Sequence, residues 1–337
     1  MKLRFGLELP KISHAQRRVF LRYLAYFFGL SFAWANADTA PAVRPLVYSL
    51  KVTILDTPVA GSGIGEWGFS ALVEADGHQI LYDTGGRSDI VLKNAKMLKI
   101  DLTAIPDVVL SHNHPDHVGG LMALRQSVLT KFPGALARTH VGDGIFGPRT
   151  TFNPGIIVNS ALLLKPEYEK TGGVFVVHRE PVELYPGIWL TGPVPRKFEP
   201  YGGAGPQTTA AAGYDTIPED MALICNTDKG LVIIEGCGHA GIVNIVAYAQ
   251  AIIRPARIYA LIGGLHLNDA TDDTVSWTTE KLRSYQVDNL LGAHCTGFET
   301  VYRFRKDLGL DRAHAAVAVI GSSFDLANGI NPWPIAQ

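Results

Sequence analysis

The residues most able to do chemistry lie in one short segment, 111–120, with the sequence SHNHPDHVGG. Within six residues it contains His112, His114, Asp116 and His117. Imidazole nitrogen and carboxylate oxygen are ligands that zinc and related divalent ions accept in proteins. In an irregular loop, His112 and His114 can converge on one ion while Asp116 and His117 face a second. The segment therefore predicts a site for one or two divalent metal ions.

Short hydrophobic strands must position this loop, and the strand predicted at 107–110 ends directly before it. Alternating hydrophobic residues predict further strands in two groups, and helical spacing predicts helices after them. The first group has strands at 46–55, 69–74 and 79–82, with helices at 90–98 and 120–129. The second group has strands at 174–177, 188–191, 222–226, 231–234, 258–262 and 290–291, with helices at 241–253 and 273–285.

This order of strands and then helices occurs twice without a linker between the groups. It predicts one domain at 38–337, in which two β-sheets pack face to face with helices outside. The fold class is therefore α/β, a four-layer αββα sandwich. Residues 140–173 contain several glycine and proline turns and little periodicity. We expect them to form a loop-rich insertion over the site.

The first 37 residues are predicted to be a cleavable export signal. A basic region precedes an uncharged hydrophobic stretch at 23–37, which is too short to span a bilayer comfortably. Residues 35–37, Ala-Asn-Ala, have the form of a cleavage site, with Asp38 as the next residue. The arginine pair at 17–18 resembles a twin-arginine signal. We expect a periplasmic or otherwise exported protein with no stable membrane anchor after cleavage; export of the unfolded chain is the alternative.

The composition excludes several classes of protein. The 337 residues are 47% hydrophobic and 18% charged, which excludes disordered, collagen-like and coiled-coil chains. The formal net charge is -1 without a long basic run, so nucleic acid is not an expected partner. The cysteines are Cys225, Cys237 and Cys295, an odd number from which no complete disulfide framework can be derived.

The motif His112-x-His114-x-Asp116-His117 resembles the signature of the metallo-β-lactamase superfamily of metal-dependent hydrolases. Other segments, in the same order, are similar to the subgroup named for 7,8-dihydropterin-6-methyl-4-(β-D-ribofuranosyl)-aminobenzene-5'-phosphate synthase. These segments are 83–85, 191–196, 235–245, 262–267 and 294–297. The resemblance covers 47–321 and implies the metallo-β-lactamase fold, a sandwich of two mixed β-sheets.

The resemblance also implies a set of metal ligands: His112, His114, Asp116, His117, His239 and His294. Many members of the superfamily have a bridging aspartate where this sequence has Cys237. Cys237 is therefore either a thiolate ligand or a buried structural thiol. Asp220 lies near the place of a further histidine ligand in other members, and the alternative is a polar turn residue.

Four residues have expected roles around the ligands. Asp83 would accept a hydrogen bond from a ligand histidine and fix its tautomer. His266 would contact the substrate in catalysis or support the metal, and a structural role is the alternative. Arg196 would bind an anionic group of the substrate or belong to a basic surface turn. Cys295 follows His294 in a predicted strand, where neighbours point to opposite faces, so we expect it in the core.

The implied function is metal-assisted hydrolysis. One or two divalent ions, Zn²⁺ in preference to Mn²⁺ or Fe²⁺, would lower the pKa of a water toward about 7 and so provide hydroxide. Asp116 would orient that nucleophile.

We expect a small anionic ester, phosphodiester or lactone as the substrate, because an exported protein would be separated from the cytoplasmic pathway that the subgroup name implies. The alternatives are a β-lactamase-type amide hydrolase and a metal-binding or sensing protein without turnover; the oligomeric state stays open.

Overall fold

The computed structural model describes residues 44–148, 159–199 and 217–333. The predicted export signal at 1–37 lies outside these ranges and stays a prediction. The residues in these three ranges belong to one compact unit. Within the described ranges, every helix is too short or too polar to cross a membrane.

Fifteen strands are present in the described part of the chain. They are β1 (Leu50–Asp56), β2 (Ser70–Ala75), β3 (His78–Tyr82), β4 (Asp107–Leu110), β5 (Arg138–Gly142), β6 (Val174–His178), β7 (Val182–Tyr185), β8 (Ile188–Leu190), β9 (Leu223–Thr227), β10 (Gly230–Glu235), β11 (Ile258–Gly263), β12 (Leu290–Gly292), β13 (Ala315–Val317), β14 (Ser323–Asp325) and β15 (Gly329–Asn331). One sheet has the order β15-β14-β1-β2-β3-β4-β5-β6, and the other has the order β13-β12-β11-β10-β9-β8-β7.

Both sheets are mixed, as predicted. In the first sheet, β1, β2 and β3 pair antiparallel, whereas β3 to β6 run parallel. In the second sheet, β7 to β10 pair antiparallel, whereas β10 to β13 run parallel.

The α-helices of the described chain are α1 (Ile90–Met97), α2 (Pro115–Val118), α3 (Leu121–Leu129), α4 (Ser160–Lys170), α5 (Ile242–Ile252), α6 (Asp272–Ser284) and α7 (Phe298–Asp307).

The hydrophobic core has three layers of contact. The central layer lies between the sheets and contains Val52 and Ile80 from the first sheet with Val232 and Ile262 from the second. A second cluster packs α5, α6 and α7 on the outer face of the second sheet, and a third packs α1, α3 and α4 on the first. Since each fully buried aliphatic side chain contributes about 1.5–3 kcal/mol, these layers stabilise the αββα sandwich. The predicted four-layer fold is confirmed.

The segment at 140–173 differs from the expected loop. It begins with the end of β5 and contains helix α4, whose Ala161 and Tyr168 are buried in the core. Asn159 begins the helix by accepting a hydrogen bond from the Leu162 N–H. Pro166 lies inside α4, which is unfavourable in a helix and hides the helical signal in the sequence. Residues 149–158 of this segment lie outside the described ranges.

Hydrogen bonds of Met221 join the two sheets beside the strand ends. Tyr82, the last residue of β3, donates its hydroxyl to the carbonyl of Met221 at 2.8 Å. Met221 precedes β9 of the other sheet, and its N–H donates to the carbonyl of Ser111 at 3.1 Å. The metal-motif loop, which begins at Ser111, is thereby fixed to both sheets.

We predict that Tyr82→Phe lowers the free energy of unfolding by about 1–2 kcal/mol, because it leaves the buried Met221 carbonyl without its donor. Urea denaturation followed by tryptophan fluorescence measures the effect. Tyr48→Phe is the matched control. Because Tyr48 is 75% exposed, loss of its hydroxyl should leave the free energy of unfolding unchanged. Equal destabilisation by both variants would contradict this role for Tyr82.

Candidate metal centre

The metal-motif loop is shaped by a short helix and two glycines. Pro115 is at the first position of α2, so the chain turns into a helix directly after His114. The loop continues through Gly119, where an added Cβ would lie 1.8 Å from the carbonyl oxygen of Gly86. Only glycine allows this close approach, which brings Asp116 and its neighbours against the loop after β3.

The first group of donors consists of three imidazoles. Nε2 of His112 lies 3.0 Å from Nδ1 of His114. The ring of His239, from the loop after β10, lies 4.7 Å from the ring of His112 and 4.8 Å from that of His114. Histidines from both sheets therefore converge on one point.

The second group lies beside the first. The Asp116 carboxylate approaches Nε2 of His294 at 3.3 Å and Nε2 of His117 at 3.8 Å. The same Nε2 atom of His117 lies 3.2 Å from Sγ of Cys237. His294 follows β12 of the second sheet, so this group also joins the two sheets.

Cys237 lies at the junction of the two groups. One ligand atom from each of His112, Cys237 and His239 lies within 4.8 Å of the others, and the same holds for His117, Cys237 and His294. Nε2 of His239 and Nδ1 of His294 are buried and have no hydrogen-bond partner in the described ranges. Buried polar atoms without partners are unfavourable, and these nitrogen, sulfur and oxygen donors fit a divalent ion. The residues present therefore fit one or two metal ions.

Asp83 forms hydrogen bonds with the metal-motif loop. Its Oδ2 accepts hydrogen bonds from Nδ1 of His117 and from Oγ of Ser111, each at 2.7 Å, and its Oδ1 accepts from the Ser111 N–H at 2.7 Å. Ser111 Oγ in turn lies 2.9 Å from Nδ1 of His112. Both histidines therefore direct Nε2 toward the site. The structure places Asp83 where the sequence predicted an orienting carboxylate, whereas Ser111 was missed.

The charges within the site act on the protonation of each ligand. Burial lowers the pKa of His117, but the carboxylates of Asp83 and Asp116 outweigh burial and raise that pKa to about 9. Burial and the neighbouring imidazoles lower the pKa of His112 and of His239 well below the usual value. His112 and His239 are therefore neutral at pH 7, which is the form that binds a metal.

Asp220 and Arg196 lie at the edge formed by the second sheet. Oδ2 of Asp220 accepts a hydrogen bond from the Ala240 N–H at 2.7 Å, and burial raises the pKa of Asp220 to about 6. Electrostatic interaction with the Arg196 cation lowers the pKa of both Asp220 and His239. Arg196 also donates to the Ile217 carbonyl at 2.9 Å. Asp220 is therefore hydrogen-bonded to the backbone of Ala240, the residue that follows His239.

His266 and Cys295 complete this edge. The His266 ring lies 4.3 Å from the ring of His239. Cys295 is buried, as we expected, but alternation along a strand is not the reason, because β12 ends at Gly292 and His294–Thr296 is a turn of 3₁₀ helix. In a turn, consecutive side chains need not alternate, and Sγ of Cys295 lies 3.3 Å from Sγ of Cys237.

Trp67 is a further site residue that the sequence did not indicate. Its ring lies 4.8 Å from the ring of His294, and the side chain is 55% exposed. It lies in the glycine-rich loop between β1 and β2, where the sequence showed only turn residues. A partly exposed aromatic ring therefore packs against His294, one of the predicted ligands.

The fold and the donor set define an enzyme of the metallo-β-lactamase superfamily, to which the chain belongs. The family model described as "Metallo-beta-lactamase superfamily" matches residues 68–217. A curated relative, the 7,8-dihydropterin-6-methyl-4-(beta-D-ribofuranosyl)-aminobenzene-5'-phosphate synthase of Methanocaldococcus jannaschii, is 32% identical over 284 residues. That alignment covers 80% of this chain and 96% of the relative.

Two further relatives agree with this assignment. An uncharacterized protein of the same organism is 28% identical over 252 residues, which covers 74% of this chain and 91% of that protein. The crystal structure of Tm1679, a metal-dependent hydrolase of the β-lactamase superfamily, superposes with a TM-score of 0.64 at 26% identity. It covers 82% of this chain and 98% of that structure.

We predict that Asp83→Asn weakens metal binding by about tenfold to a hundredfold, because the amide no longer stabilises the ligand tautomer of His117. Competition with a chromogenic zinc chelator measures the affinity. Asp107→Asn is the matched control, since Asp107 is a second buried aspartate that accepts a hydrogen bond from a histidine, His140, at 3.0 Å outside the metal centre. The prediction fails if both variants bind zinc as the unsubstituted protein does.

Proposed function

We propose that the protein is a metal-dependent hydrolase that acts on a small anionic ester, phosphodiester or lactone. The observation that carries this proposal is the meeting of two donor groups at Cys237, one of imidazoles and one containing Asp116. A divalent ion in this position, Zn²⁺ in preference to Mn²⁺ or Fe²⁺, would act as a Lewis acid and lower the pKa of a water.

Several side chains of the chain have defined tasks in such a reaction. Asp116 lies between His117 and His294, where its carboxylate can accept a proton from the attacking water. Despite its burial, these two imidazoles hold the pKa of Asp116 well below its usual range, so the carboxylate is ionised at pH 7. His266 lies against His239 and can contact the part of the substrate that lies over the second sheet.

Arg196 is our candidate for recognising the negative charge of the substrate. Its cation interacts electrostatically with His239 and Asp220. A guanidinium forms strong charge-assisted hydrogen bonds with phosphate and carboxylate groups. The curated relative is named for a product that contains a 5'-phosphate, which supports an anionic substrate here as well.

A phosphodiester, ester, lactone and β-lactam panel tests the proposed function on the zinc-loaded protein. We expect turnover of at least one anionic ester, phosphodiester or lactone, its loss after removal of metal by a chelator, and its return on adding Zn²⁺. Asp116→Asn should lower kcat by more than about a hundredfold, because it removes both a ligand and a base. Turnover confined to β-lactams would favour an amide hydrolase, and zinc binding without any turnover would favour a binding or sensing protein.

We predict that Arg196→Ala raises the KM for an anionic phosphodiester by about tenfold or more, which corresponds to the loss of one charge-assisted hydrogen bond. The KM for a neutral aryl ester should change little, because that substrate offers no anion to the guanidinium. Lys197→Ala is the matched control, since it removes the neighbouring basic side chain, which is exposed. Equal effects of both substitutions, or equal effects on both substrates, would show that Arg196 does not recognise the anion.

The synthase reaction of the curated relative is a second candidate. The observation in its favour is 32% identity that extends over 96% of that protein. Incubating the zinc-loaded protein with a dihydropterin and an aminobenzene ribofuranosyl phosphate distinguishes the two candidates. Formation of a condensed product, without hydrolysis in the panel above, would favour the synthase.

A further inference from the structure

Two thiols and one imidazole form a cluster on the second-sheet side of the metal centre. Cys237 follows β10, His266 follows β11 and Cys295 follows β12. The two Sγ atoms lie 3.3 Å apart, and one ligand atom from each of the three residues lies within 4.8 Å of the other two. Three neighbouring parallel strands therefore end in loops that bring a two-cysteine, one-histidine donor set to one point.

The backbone holds this cluster in an unusual conformation. His266 has a φ of 48°, in the left-handed region that a non-glycine residue seldom adopts. Its N–H donates to Sγ of Cys295 at 3.3 Å, which fixes the loop after β11 to the turn after β12. Strained conformations of this kind persist where the surrounding structure imposes them, often at binding sites.

The cluster also has donor capacity that the described protein atoms leave unused. Nδ1 of the His266 ring is buried and has no hydrogen-bond partner among the described residues. The carboxyl groups of Asp220 and Glu235 interact electrostatically with the cluster, Asp220 with Cys237 and His266, and Glu235 with Cys295. Both oxygens of Glu235 are buried without a partner in the same ranges. A metal ion at the cluster would give the buried His266 nitrogen the partner that the described residues do not supply.

We propose that Cys237, Cys295 and His266 bind a thiophilic divalent ion, such as Zn²⁺, at a position additional to the two donor groups described above. Thiolates select soft and borderline ions such as zinc over hard ones such as magnesium. With Zn–S bonds of about 2.3 Å in a tetrahedral site, two sulfurs lie about 3.8 Å apart. The observed pair has to open by only about half an ångström to reach that separation.

Cys295 and His266 belong to this donor set alone, whereas Cys237 also belongs to both groups of the metal centre. Substitution of Cys295 therefore tests the additional position and leaves the other ligands in place. Cys225 is the matched control, because it is equally buried but lies in β9 within the hydrophobic layer between the sheets. The test measures metal binding and does not depend on which reaction the protein catalyses.

The experiment is a titration of the full chain, reduced and stripped of metal, with Cd²⁺ alone. Cadmium per chain is measured by elemental analysis, and cadmium–thiolate charge-transfer absorbance is measured in the ultraviolet. We expect Cys295→Ala to bind one equivalent less than the unsubstituted protein and to lose about half of the absorbance, since one of two thiolates is removed. Cys225→Ala should match the unsubstituted protein in both.

His266→Ala decides the question should Cys295→Ala fail to fold, as shown by circular dichroism. It keeps both thiols, and we expect it to lose the same equivalent of cadmium or to bind it about tenfold more weakly. Unchanged cadmium content and absorbance in the folded variants would overturn the proposal and make Cys295 a packing residue. A mass lower by two hydrogens in the protein as isolated, located to Cys237 and Cys295, would overturn it in favour of a disulfide.

Discussion

The hydrogen bonds to the Asp83 carboxylate are the interaction on which the site depends. This buried carboxylate accepts from Ser111 twice and from His117 once. A buried carboxylate is stable only when its oxygens are paired, so the loop after β4 must keep the conformation that supplies these donors. That conformation also directs the histidines of the loop toward a common point. The stability of the fold and the geometry of the metal centre therefore rest on the same contacts.

The second constraint is the packing of two sheets whose strand ends meet at one edge. The first sheet supplies the loop with His112, His114 and Asp116, and the second supplies His239 and His294 from loops after β10 and β12. Neither sheet alone has a complete donor set. The hydrophobic layer between the sheets thus sets the distances between the predicted ligands. The hydrogen bond from the Tyr82 hydroxyl to the Met221 carbonyl also joins the sheets, close to the site.

The edge formed by the second sheet contributes sulfur donors and a positive charge to the site. Cys237 lies at this edge, and Sγ of Cys295 lies 3.3 Å from its Sγ. With sulfur donors, this edge favours softer metal ions than a site that has only oxygen and nitrogen donors. The positive charge of Arg196 interacts electrostatically with Asp220 at the same edge. The metal chemistry and the recognition of an anionic substrate are therefore proposed to meet here.

The sequence by itself determined the four-layer fold and the metal motif, because hydrophobic periodicity and ligand spacing are local properties, and the resemblance of its motifs implied the superfamily. Only the tertiary structure decided that Cys295 faces the site, since a turn after β12 replaces the expected strand. It likewise showed helix α4, whose signal Pro166 obscures, and the place of Trp67 against His294. These features depend on contacts between segments far apart in the chain, where one turn or one close approach changes which face a side chain presents. Spacing along the sequence does not encode such contacts.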